Sequence, residues 1–106
     1  MDTKTSKQIT QLKEWLDENA EDQNETERRL LRVLKIGEEF GEVSEALHGA
    51  LGGNPRKGRS HDWGDVQKEL VDVVVTALVA LATLNPDWPE EFDARLQHLV
   101  ERVIPS

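Results

Sequence analysis

Residues 69–84 read ELVDVVVTALVALATL, and whether this run is strand or helix decides the fold. The triple valine at 73–75 would by itself suit a strand. The Ala/Leu-rich continuation is too long for a buried strand, so the run predicts a helix, opening near Asp62 and stopping at Asn85-Pro86. From Val71 to Leu84 nearly every residue is apolar on every side, the pattern of a helix buried within an assembly. Asp72 stands inside that run, and Glu69 lies three residues earlier, hence on the same side.

The flanking sequence supplies three more helices. Ile9, Leu12, Trp15 and Leu16 recur at helical spacing and predict a first helix over 5–19. Asn24 and Glu27 form a capping-box pattern that opens a long second helix over about 25–51, closed by Gly52-Gly53. GGNPRKGRSHD (52–62) is a Gly-rich loop. Asp87 and Glu90 bracket the start of a fourth helix, with Pro89 tolerated in its first turn. Phe92, Leu96, Leu99, Val100, Val103 and Ile104 form its apolar stripe. With no strand, repeat or low-complexity signal, the expectation is one all-α domain over 1–106. Short connections predict an antiparallel four-helix bundle.

Composition narrows the partners. The chain has 106 residues, a formal net charge of −8 and no cysteine. Disulfides and thiolate metal sites are therefore excluded, and a reducing cytoplasm is the expected location. The N-terminal MDTKTSKQIT lacks the apolar core of a signal peptide, and the most apolar run is too short and too charged to cross a bilayer comfortably. The acidic balance argues against duplex nucleic acid or a membrane as partner.

The second helix concentrates glutamates in KIGEEFGEVSEAL (35–47). At about 100° per residue, Val33, Ile36, Phe40, Val43 and Leu47 share one face. Glu38, Glu42 and Glu45 lie roughly opposite, and Glu39 sits on the flank. A solvated acidic face accounts for this helix taken alone. A buried Glu69–Asp72 pair changes the weighing, because an unpaired buried carboxylate is costly. One reading pairs these acids with Arg28, Arg32 or Arg95. The other has both helices present carboxylates to a shared Mg²⁺, a hard cation that prefers oxygen ligands. Gly37 and Gly41 each cost a helix about 1 kcal/mol relative to alanine. They make sense if a backbone or ligand approaches that side closely.

Glu38-Glu39-Phe40-Gly41-Glu42 matches an E-E-x-x-E motif, and Glu69-Leu70-Val71-Asp72 matches E-x-x-D on the next helix. Together, over residues 30–84, they resemble the MazG-like all-α nucleoside triphosphate pyrophosphohydrolases, whose relatives include dimeric all-α dUTPases and dCTP pyrophosphatases. The resemblance implies Mg²⁺-dependent cleavage (Mn²⁺ as a substitute) of the α–β phosphoanhydride of a nucleoside triphosphate, giving monophosphate and pyrophosphate. It implies Glu39, Glu42, Glu69 and Asp72 as metal ligands, with Glu38 as a further ligand or a residue orienting the attacking water. Where relatives often carry an aromatic after this segment, residues 48–53 read HGALGG, which leaves base specificity open.

Lys35, Arg56, Lys57 and Arg59 are the candidate phosphate-binding cations, three of them in the basic loop, which could close over a substrate. Trp15, Trp63 and Trp88 are read as packing residues. A di-iron bundle would use Glu45-x-x-His48, but it needs a second Glu-x-x-His, and neither His61 nor His98 has a glutamate three residues before it. The non-enzymatic alternative is a helical interaction or regulatory module with an acidic face. An all-round apolar helix with three short neighbours predicts a homodimer or homotetramer, as the resemblance also implies.

Overall fold

The computed structural model describes residues 1–56 and 58–105, and these form four helices without a strand: α1 (Thr3–Glu18), α2 (Glu25–Ala50), α3 (Trp63–Leu84) and α4 (Trp88–Val103). Helix α1 begins before the predicted start because the Asp2 carboxylate accepts from the Lys4 and Thr5 amides at 2.8 and 3.2 Å. The capping box at α2 is present in both directions, with Glu27 N–H donating to Asn24 at 2.9 Å and Asn24 N–H to Glu27 at 3.3 Å. Asp62 and Asp65 form the same device at the start of α3. Gly52, at φ 67°, takes the left-handed turn that ends α2, as the glycine pair predicts. The predicted cap bond of α4 is not formed: Asp87 makes no side-chain cap bond, and the first turn is marked by Pro89 with the acids Glu90 and Glu91.

Helices α2 and α3 pack most extensively. Ala46 and Ala50 meet Val66 near one end, and Arg32 reaches Thr83 near the other, so the two run antiparallel. Helix α1 seats Ile9 on Leu78, Val79 and Ala82 of α3, beside Trp88, which is only 2% exposed. The Trp88 indole N–H donates to Thr10 Oγ1 at 3.3 Å. Helix α4 then turns through 118° from α3 and leaves its distal stripe exposed. Among the described residues no single helix is long and apolar enough to cross a membrane.

The buried face of α2 differs from the one read off its large side chains. Phe40, Val33 and Leu47 are exposed, whereas Arg32, Val43, Ala46, Gly49 and Ala50 are buried. The packed face is rotated by roughly 80°, at about 100° per residue, toward small residues that admit a close neighbour. Gly49 serves that closeness, since a Cβ there would collide with the His61 ring. Gly37 and Gly41 do not: a Cβ at either would meet nothing within 4 Å among the described residues.

Candidate metal centre

Rotation of the packed face turns Glu39 from the flank into the α2–α3 contact. It is half-buried there, in phase with Val43, Ala46 and Ala50. From α3, Glu69 and Asp72 meet it, being one turn apart on the side that packs against α2. Glu39, Glu69 and Asp72 each offer an oxygen, and all three oxygens lie within 4.8 Å of one another. Glu42, one turn after Glu39, is more exposed and stands beside both glutamates without joining the tight group.

The charges are not neutralised by arginine. Arg32 donates to Asp17 at 2.6 Å and to Thr83 Oγ1 at 3.0 Å. Arg28 donates to the carbonyls of Asp17 and Ala20 at 3.5 and 3.3 Å. Both guanidinium groups therefore hold the end of α1, and no ion pair among the described residues involves Glu69 or Asp72. The pairing of these acids with Arg28 or Arg32, one of the two readings open from sequence, is not what forms. Glu69 Oε2 is buried without a hydrogen-bond partner. A hard divalent cation fits this arrangement, because all the donors are carboxylate oxygens converging from two helices and one is otherwise orphaned.

Burial lifts the Glu39 carboxyl above its ordinary 4.5, and the Glu42 and Asp72 charges add to this against a weaker pull from Lys35. Burial likewise raises Glu69, followed by its contact with Glu42 and the charge of Asp72. A carboxyl whose pKa is higher folded than unfolded contributes stability below its unfolded pKa and loses it as pH rises through the folded value. In chelator, the unfolding free energy should therefore rise as pH is lowered from neutrality toward the ordinary 4.5. Saturating Mg²⁺ should flatten that dependence, because the ion replaces the proton. Urea melts at several pH values check this, and a flat profile without metal would argue against the crowding.

The remaining candidates are placed less uniformly. Lys35 Nζ lies 3.3 Å from Glu38, and its charge reaches Glu39, so it stands at the edge of the cluster. Glu38 itself projects about 100° around α2 from Glu39, exposed and paired with Lys35. Arg56 and Arg59 are exposed in the loop beyond the end of α2 and form no ion pair among the described residues. From Glu39 to Ala50 the helix runs eleven residues, about 16 Å. Lys57 lies outside the described residues. Glu45, His48 and His61 line a separate polar pocket at that end, of about 350 Å³.

Sequence reasoning missed a groove between α1, α2 and α3, of about 600 Å³, lined among others by Leu12, Trp15, Leu31, Lys35 and Thr76. It begins one turn from the carboxylates, since Lys35 precedes Glu39 by four residues and Thr76 follows Asp72 by four. Of the three tryptophans only Trp88 is a packing residue; Trp15, 59% exposed, lines this groove. Periodicity cannot reveal such a wall, because it reports a helix face and not the distance to the next helix. Comparison with models of known families, with curated proteins and with solved structures finds no match to the chain.

Proposed function

We propose that this chain is a metal-dependent nucleotide pyrophosphohydrolase of MazG-like type, cleaving the α–β phosphoanhydride of a (deoxy)nucleoside triphosphate to monophosphate and pyrophosphate. The observation that carries the reading is the convergence of Glu39, Glu69 and Asp72 on one point, with none of the three in an ion pair among the described residues. Repulsion among three carboxylates is unfavourable in a fold unless something positive is recruited. An acidic face that served only to attract a basic partner has no reason to gather its oxygens.

Mg²⁺ or Mn²⁺ held there would neutralise triphosphate charge and lower the pKa of a bound water. Glu39, Glu69 and Asp72 are the residues that would hold it, with Glu42 completing the acidic rim. Glu38, exposed and paired with Lys35 beside the cluster, would orient that water only by swinging toward it. Lys35 sits between the carboxylates and the apolar groove, where its ammonium would meet a phosphate oxygen. The groove then offers the ring of Trp15 to the nucleoside. Arg56, Lys57 and Arg59 would join only through closure of the basic loop.

The direct test is incubation with a panel of canonical and modified nucleotides with Mg²⁺ or Mn²⁺, assaying pyrophosphate and orthophosphate separately. Pyrophosphate release that stops in chelator is the expected result. Orthophosphate with a diphosphate product would overturn the cleavage position, and inactivity across the panel would favour the interaction-module reading.

A further inference from the structure

The carboxylate group leaves one motif of α2 unused. Glu45 and His48 are one turn apart on the same side of that helix and line the polar pocket of about 350 Å³ near its C-terminal end. In the sequence this Glu-x-x-His lacks the partner motif that a di-iron bundle needs. The fold brings up a single histidine instead. His61, which directly precedes the Asp62 cap of α3, lines the same pocket from the end of the loop.

Two glycines admit the rings. A Cβ at Gly49 would lie 2.1 Å from His61 Nδ1 and 2.6 Å from Ser60 Oγ, and a Cβ at Gly53 would lie 3.2 Å from His48 Cδ2. No side chain tolerates the first of these distances, so glycine at 49 is what lets His61 sit against α2. Ser60 Oγ stands 2.9 Å from His61 Nδ1. With Nδ1–H donating to that hydroxyl, Nε2 keeps its lone pair for a ligand. Metal-binding histidines are oriented in this way, by donating their second N–H to a fixed oxygen. No ion pair among the described residues joins Glu45 to either ring, so the charge of the pocket is not consumed internally.

We propose that Glu45, His48 and His61 bind Zn²⁺, which clasps the basic loop to the end of α2. Imidazole nitrogens with one carboxylate oxygen suit zinc, whereas the all-oxygen set of Glu39, Glu69 and Asp72 suits magnesium. The three side chains fill three tetrahedral positions, and water takes the fourth. They ring the pocket less tightly than the carboxylates ring their own site. His48 is exposed, however, and turns about its two side-chain bonds to close on the ion. Closure ties together residues on either side of the segment that carries Arg56 and Arg59. The site shares no residue with the carboxylate group and does not rest on the hydrolase reading.

The test is calorimetric titration of the full chain with Zn²⁺ in excess Mg²⁺. One Zn²⁺ per chain is expected, with a micromolar or tighter dissociation constant. His48→Ala and His61→Ala should each weaken binding at least about tenfold, while Asp72→Asn should bind Zn²⁺ as the wild type does. Should His61→Ala disturb the loop, His48→Ala decides alone, because its side chain is exposed and its removal empties no core. Absence of Zn²⁺ uptake would overturn the proposal. So would unchanged binding in His48→Ala, or loss of binding in Asp72→Asn, which would place the ion on the carboxylates. The clasp has its own readout in limited tryptic digestion. Zn²⁺ should slow cleavage after Arg56 and Arg59 in the wild type and not in His48→Ala; equal rates with and without Zn²⁺ in the wild type would contradict it.

Discussion

Asp72→Asn is expected to abolish turnover and metal-induced stabilisation while leaving the metal-free protein at least as stable as wild type. The amide keeps the size of the side chain and can still hydrogen-bond, but it removes the charge a divalent cation needs. Disturbing even a residue that supports a metal ligand typically costs 10- to 100-fold, so losing a ligand should cost about 100-fold or more. The stability arm has a definite sign. Glu39, Glu69 and Asp72 crowd one another, and no arginine of the described chain is paired with Asp72. Neutralising Asp72 therefore strands no cation and relieves repulsion. Had the residue been the anion of a buried ion pair, its loss would cost several kcal/mol. Chemical unfolding in chelator, with and without added Mg²⁺, separates the two. A clearly destabilised variant that Mg²⁺ still stabilises normally would sink the metal centre.

Arg32→Ala carries the largest expected loss of stability. Its guanidinium is 10% exposed and bonds to Asp17 at 2.6 Å, an acid that is itself 22% exposed. It also donates to Thr83 Oγ1, whose hydroxyl donates to the Val79 carbonyl at 2.8 Å. One side chain thus ties α1, α2 and α3 together. Its removal empties a buried volume and unpairs Asp17 from its deeper partner, for about 3 kcal/mol and a thermal midpoint lower by about 10 °C or more. Arg29→Ala is the matched control: its 2.8 Å bond to Glu25 is an exposed pair one turn apart, so about 0.5 kcal/mol or less is expected. Equal losses in the two variants would contradict this assignment. The pair also shapes acid stability. Burial alone would raise Asp17, but the bonds and charges of Lys13 and Arg32 outweigh it and hold the acid below its ordinary 3.8. Its contribution is complete above that ordinary value and is lost as pH falls through the lowered one. That window lies below the one in which Glu39 and Glu69 titrate.

Much of this molecule was legible one residue at a time. Four helices, the Asn24–Glu27 box and the left-handed Gly52 follow from local chemistry, which needs no neighbour in space. Glu69 and Asp72 could be placed on one side of one helix because the helical repeat is fixed. The facing of α2 could not be derived this way. Large apolar residues point to Phe40 and Val33 as its core, yet α3 packs on Ala46 and Ala50 and the loop before it on Gly49, because small residues admit a close neighbour and size alone does not report that. This rotation carries Glu39 into the contact and leaves Glu38 outside it. Nor does a sequence say which acid an arginine will choose. Arg28 and Arg32 turned to the end of α1, and that choice left the three carboxylates without a paired arginine among the described residues. Sequence by itself determined which side chains could converge. Tertiary packing decided which of them did, because the direction of a helix face is set by what it packs against.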